Sequence, residues 1–122
     1  HAPCLERRIR GCGAGQEYLA ITPNGDIYPC HQLVGVAEFW LGNLDTGIVK
    51  PEITKNFAQV NILTKPECRE CWARFYCSGG CYANSHAFSG EISGNYPVGC
   101  SLQKKRIECA LAVAAEVKGA QM

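Results

Sequence analysis

The residues of this 122-residue chain best equipped for chemistry are its nine cysteines: Cys4, Cys12, Cys30, Cys68, Cys71, Cys77, Cys81, Cys100 and Cys109. Thiolates build disulfides, zinc sites or iron–sulfur sites. An odd count, with four cysteines crowded between Cys68 and Cys81, suits a disulfide framework poorly, because a bridge across two or three residues closes a very small loop. Four close cysteines could hold one zinc ion, but Cys12, Cys30 and Cys100 would then have no task. Iron–sulfur ligation uses close runs of cysteine completed by remote ones. It is the favoured reading, with zinc and disulfides as alternatives.

The central run is C-x2-C-x5-C-x3-C, formed by Cys68, Cys71, Cys77 and Cys81. Two residues between Cys68 and Cys71 let both thiolates point into one backbone turn, whose amides can hydrogen-bond to cluster sulfurs and offset negative charge. Cys77 follows after another short turn. Gly79-Gly80 reverses the chain, which frees Cys81 to point elsewhere, as when the last cysteine of a run serves a second cluster.

The elements that must position these side chains are outlined by local signals. Residues 1–16 read as loop. Residues 17–22 alternate and are rich in strand formers, Pro23-Asn24-Gly25-Asp26 signals a tight turn, and residues 27–30 return as a second strand. This hairpin brings Cys30 back towards Cys12. Residues 33–50 predict a short strand or loop. Pro51 opens a helix over about 52–63, with Ile53, Phe57 and Val60 at helical spacing. Cys68–Phe75 predicts a short helix and Cys81–Phe88 another. Residues 89–99 read as loop, and 101–118 as a longer helix ended by Gly119. The fold class is therefore a small, irregular α+β domain over residues 1–122: an N-terminal β-hairpin, cluster-binding loops and short helices, and a C-terminal helix.

On a continuous helix Cys109 would sit about 13 Å and about two and a half turns beyond Cys100, facing the other way. It shares helical spacing with Leu102, Val113 and Val117 and reads as a buried structural thiol. His31 and His86 read as partly buried polar side chains and His1 as a terminal residue. Trp72, Phe75, Tyr76 and Tyr82 interleave with cysteines and read as apolar shielding around a cluster. Arg7, Arg8 and Arg10, and the run Lys104–Arg106, read as solvated basic faces.

Composition narrows the partners. Lys+Arg 12 against Asp+Glu 11 leaves a net charge of +1, and charged residues are only 19%; there is no basic arm for nucleic acid and no acidic tail. The apolar runs fall short of the roughly 18 residues that a membrane span needs. No charged segment followed by an apolar core marks a secretory start. With 47% apolar residues a modest core can form.

The full cysteine pattern resembles the SPASM domain, the C-terminal extension of many radical S-adenosylmethionine enzymes. Cys12 is followed by twelve residues, Gly25, four residues and Cys30, then by Cys68, Cys71, Cys77, Cys81 and Cys100. The stretches GCGAGQEYLAITPNGDIYPCHQLVG and CRECWARFYCSGGCYANSHAFSG look like the thioether-forming maturases of SCIFF peptides. The resemblance implies two 4Fe–4S auxiliary clusters. It assigns Cys12, Cys30 and Cys81 to an inner cluster and Cys68, Cys71, Cys77 and Cys100 to an outer one. One inner iron then lacks a protein donor. Cys4 is placed to supply it; otherwise that iron is open to a substrate thiolate.

The chain contains no C-x3-C-x2-C. The resemblance therefore places S-adenosylmethionine and a third cluster in a barrel upstream in the same protein, and this domain alone would not cleave S-adenosylmethionine. The implied activity is that of an oxidoreductase joining a cysteine sulfur to a carbon of a ribosomally made precursor peptide, in the cytoplasm of an anaerobic bacterium. The clusters would accept the released electron and can bind the substrate thiolate. Alternatives are the SPASM domain of an anaerobic sulfatase maturase or of a peptide dehydrogenase, and a zinc-stabilised interaction module.

Overall fold

In the computed structural model, which describes residues 4–121, the Asn24-Gly25 turn closes the expected hairpin. Gly25 takes φ 86°, the left-handed conformation that glycine adopts without a Cβ penalty. Its N–H donates to Thr22 O (2.8 Å), and the Thr22 N–H donates to Asp26 O (2.9 Å). Strand β1 (Ala20–Ile21) pairs antiparallel with β2 (Asp26–Tyr28). Two further strands, β3 (Gly42–Asn43) and β4 (Gly47–Ile48), extend this into a four-stranded antiparallel meander in the order β1-β2-β3-β4. Asp26 ties β2 to β3: its Oδ1 accepts from Trp40 Nε1 (2.9 Å) and Asn43 Nδ2 (3.2 Å).

The core forms where the sheet meets the helices. Phe39, Phe57 and Tyr82 pack edge to face in succession, with ring centroids 5.9 and 5.3 Å apart, a favoured arrangement for aromatic quadrupoles. Cys30, Leu33, Val60 and Ile92 complete the cluster. His86, half-buried, stacks on Phe39 at 4.7 Å and pairs through Nε2 with Glu38 (2.6 Å).

The α+β class holds: among the described residues there are six α-helices beside the sheet. Several boundaries differ from expectation. Residues 5–10, read as loop, form α1 (Leu5–Arg10); Glu6 and Arg10 pair at i,i+4 (3.0 Å), and Arg8 Nη1 donates to Phe75 O (3.1 Å). The glycines of this region follow the helix rather than interrupt it. Helix α2 (Pro51–Gln59) stops short of residue 63. There Asn61 and Thr64 offer the backbone a competing turn, with Leu63 N–H donating to Asn61 Oδ1 and Asn61 N–H to Thr64 Oγ1.

The expected Cys68–Phe75 helix is two separate turns, α3 (Pro66–Arg69) and α4 (Arg74–Cys77). Cys71 lies between them, its N–H bonded to Cys68 O (3.1 Å). An unbroken helix would set Cys68 and Cys77 about two and a half turns apart on opposite faces, so the break is what lets them share a site. Helix α5 (Tyr82–Ser89) is as expected, ended by left-handed Gly90. The last helix, α6 (Pro97–Ala120), starts four residues early, because Pro97 occupies its first turn, and runs through Gly119, which keeps a right-handed conformation. None of the described helices is both long and apolar enough to cross a membrane.

Two side-chain expectations fail. Cys109 is exposed, as is every residue from Glu108 to Gln121. Ile107 is the only buried residue of α6, while Leu102, Val113 and Val117 are 63%, 59% and 52% exposed. Among the described residues nothing buries the distal turns, so helical spacing alone creates no core. His31, expected partly buried, is exposed, with Nδ1 2.7 Å from Tyr18 Oη. His1 lies outside the described residues.

Two predictions follow from these contacts. The hydrogen bonds from Trp40 and then Asn43 hold the Asp26 carboxyl below its ordinary value of 3.8, against a smaller opposing effect of desolvation. A depressed folded pKa stabilises above the ordinary value and is lost as pH falls through the folded one. Asp26→Asn should therefore lower the melting temperature at neutral pH, and the deficit should vanish in acid; a deficit independent of pH would assign it to packing. Cys109→Ser, at an exposed helical position, should shift stability by no more than about 0.5 kcal/mol and leave metal content unchanged, as thermal melts and metal analysis would register.

Candidate metal centre

Cys68, Cys71, Cys77, Cys81 and Cys100 line one cavity of about 270 Å³. That is slightly below the roughly 300 Å³ at which pockets for drug-sized ligands begin. Each cysteine is half-buried. Cys68 rides on α3, Cys71 on the turn after it, Cys77 at the end of α4, Cys81 immediately before α5, and Cys100 in the first turn of α6.

The reversal between Cys77 and Cys81 depends on three consecutive left-handed residues: Ser78 (φ 60°), Gly79 (φ 90°) and Gly80 (φ 78°). Two adjacent glycines make that path accessible. Among the described residues the N–H groups of Gly79 and Gly80 have no protein acceptor, although both glycines line the cavity.

The thiols act on one another. Burial pushes Cys68 above its ordinary value of 9.0; the nearby Lys65 opposes this, and Cys100, Cys77 and Cys71 raise it further. Cys100 is raised by burial and by Cys77 and Cys71, against Lys65 and Lys104. As free thiols, Cys68 and Cys100 thus resist ionisation. A bound cationic centre reverses that preference, since metal coordination requires and stabilises the thiolate. Cys68 Sγ points at Asn95 Oδ1 (3.7 Å), and Asn95 is itself held by Glu67 (2.7 Å).

Cys12, Cys30 and Cys81 gather less tightly, around Tyr82. Cys30 is buried in the aromatic cluster and Cys81 packs against it. Cys12 is exposed, yet close enough to Tyr82 to help burial push that phenol up to about 12. Two contacts seat this segment. Gly15 N–H donates to Pro29 O (3.0 Å), which holds residues 12–15 against the return strand, and Tyr82 Oη donates to Val60 O (2.8 Å), with Arg10 O at 3.2 Å as a second acceptor. At Gly11 a Cβ would stand 2.9 Å from Ser78 O, so the chain before Cys12 lies directly on the reversal that leads to Cys81. Cys81 thereby borders both groups: it lines the cavity, and its Sγ faces Gln32 Oε1 (3.9 Å). Cys4 is exposed at the start of α1, outside the cavity.

No three Cys, His, Asp or Glu side chains among the described residues converge on a single point as the ligands of one ion would. No cysteine is disulfide-bonded. Of the aromatics expected as shielding, only Tyr82 is buried; Phe75 and Tyr76 are 38% and 52% exposed on α4, the helix that turns Cys77 in, and Trp72, in the turn before α4, is 49% exposed. Sequence reasoning missed Lys65, which is 2% exposed. Lysine is ordinarily a surface residue, and no local pattern marks this one as different.

Comparison with known proteins agrees with the cysteine geometry. The model of SPASM, an iron–sulfur cluster-binding domain, matches residues 12–72, half of the chain. An uncharacterized protein of Archaeoglobus fulgidus is 32% identical over 106 residues, which is 83% of this chain and 24% of that protein. The serine-type anaerobic sulfatase-maturating enzyme of Klebsiella aerogenes is 32% identical over 90 residues, 70% of this chain and 21% of the enzyme. The chain thus spans less than a quarter of the length of either relative. The cysteine spacing, the fold around it and the family match give one conclusion: this chain belongs to the SPASM family of iron–sulfur cluster-binding domains.

Proposed function

We propose that this chain is the auxiliary cluster module of a radical S-adenosylmethionine enzyme that closes thioether cross-links in a cysteine-containing, ribosomally made precursor peptide. The observation that carries the reading is the ring of five cysteines around one cavity. Thiolates that ring a cavity, one to each iron, suit a cubane cluster better than a single zinc ion. The donor chemistry fits as well. The cavity offers soft sulfur ligands, two glycine N–H groups without protein acceptors among the described residues, and a buried cation beside it.

In this reading Cys68, Cys71, Cys77 and Cys100 hold one 4Fe–4S cluster, and Cys12, Cys30 and Cys81 hold a second. Cys4, exposed at the head of α1, supplies the remaining donor or yields its place to a peptide cysteine. The clusters, when bound, would take up the electron released as the carbon–sulfur bond closes. The protein's own part is positional. The Ser78–Gly80 reversal links Cys77 to Cys81, and Tyr82 joins the aromatic core, against which Cys81 packs, to the backbone of Arg10 just before Cys12. The barrel upstream in the same protein would bind S-adenosylmethionine and generate the radical.

The Klebsiella relative favours a second reading, oxidation of a serine in a sulfatase. Both reactions remove two hydrogens from the substrate, so mass alone does not separate them. Thiol alkylation does: a thioether consumes a cysteine, whereas serine oxidation leaves every thiol free.

For the cluster assignment, anaerobic reconstitution should load about eight irons and eight sulfides into this chain, four of each per cubane. Cys71→Ala and Cys12→Ala should each lose about half and should melt earlier, since ligand loss removes folding energy. Stoichiometric zinc without sulfide would refute the cluster assignment, and unchanged iron in Cys71→Ala would remove that residue from the ligands.

A further inference from the structure

Lys65 is the most deeply buried charged residue among the described residues, at 2% exposure. Its Nζ donates to Gly79 O (3.1 Å) and Ser85 Oγ (3.4 Å), both neutral, and both residues line the cysteine cavity. Among the described residues it has no carboxylate within ion-pair distance. A buried ammonium with only neutral partners is costly to keep unless negative charge lies nearby.

The backbone fixes its place. Lys65 immediately precedes α3, and its carbonyl accepts the N–H groups of Cys68 (3.1 Å) and Arg69 (3.1 Å), so the turn carrying Cys68 hangs from this residue. Its side chain then crosses to the Gly79 reversal between Cys77 and Cys81. Both partners of its Nζ line the cavity together with Cys68, Cys71, Cys77 and Cys100, so the ammonium stands directly behind that ligand set.

We propose that Lys65 is the fixed counter-charge of the cysteine-lined cavity, raising the reduction potential of the cluster held by Cys68, Cys71, Cys77 and Cys100. This rests on the cluster reading above. Lys65 is a positioning residue: it acts through charge, from behind the ligands, and contributes no ligand itself. A cluster gains negative charge when it takes up one electron, so a buried cation beside it stabilises the reduced form. Solvent screens such an interaction little. Lys104, which also lines the cavity but is half-exposed, supplies a comparison that salt should weaken.

The test is a dithionite titration of the full-length protein, followed by EPR, with iron and sulfide measured on the same samples. Lys65→Met should retain the wild-type iron and shift the outer cluster's reduced-to-oxidised ratio at fixed potential about tenfold towards oxidised, about 59 mV for a one-electron couple. Lys65→Gln, which keeps a donor for Gly79 O but loses the charge, should shift it likewise. Lys65→Arg should titrate near wild type, and Lys104→Met should shift less and lose its effect at high salt. Neutral variants that load fully and titrate as wild type overturn the proposal. If both neutral variants lose the outer cluster, full loading of Lys65→Arg supports a need for the charge, whereas its failure leaves Lys65 a packing role and overturns the proposal. A wild-type protein that binds no iron–sulfur cluster would instead refute the reading beneath it.

Discussion

Thiolates repel one another, and five cysteines around a cavity of about 270 Å³ cannot all ionise without positive charge among them. Burial and mutual repulsion keep Cys68 and Cys100 protonated as free thiols. Two sources of positive charge can relieve this, a bound metal centre and the buried Lys65. The fold serves that electrostatic problem throughout. It supplies short elements that can each be aimed separately: α3, α4, the head of α5 and the first turn of α6. A regular secondary structure across residues 68–100 would scatter these side chains around a helix or over two faces of a strand.

Tyr82 joins the two groups of cysteines. Its ring belongs to the aromatic core that includes Cys30, its backbone follows Cys81, and its hydroxyl meets the carbonyls of Val60 and of Arg10, two residues before Cys12. The cavity and the core are thus not separable units. The Phe57–Tyr82 contact that stabilises the fold also sets the distance between the N-terminal segment and the central cysteine run.

Helix α6 divides by function along its length. Its first turn contributes Cys100 to the cavity and Ile107 is buried, while every residue from Glu108 to Gln121 is exposed. The buried side-chain nitrogen and oxygen atoms of the described residues all have hydrogen-bond partners. The exposed distal turns therefore reflect how little lies beside them in this chain rather than an unsatisfied interior.

The sequence by itself determined whatever depends on covalent spacing and on local backbone preference. The Asn24-Gly25 hairpin, the Pro51 start of α2 and the existence of helix α5 are local choices; the Pro97 start of α6 lay in a stretch that reads as loop. The cysteine spacings carried the family. Tertiary structure decided what depends on neighbours distant in sequence. Cys109, with perfect helical spacing to Val113 and Val117, is exposed because no other element covers that face. The Cys68–Phe75 segment has helical propensity, yet it breaks at Cys71, which lets Cys68 and Cys77 line one cavity. Trp72, Phe75 and Tyr76 look like core residues by type and turn outward because their neighbours turn in. Lys65 looks like a surface lysine by type and is buried, its Nζ bonded to Gly79 O and Ser85 Oγ from distant segments of the chain. Propensity and periodicity describe one segment at a time, whereas burial and charge environment are sums over all segments that fold against it.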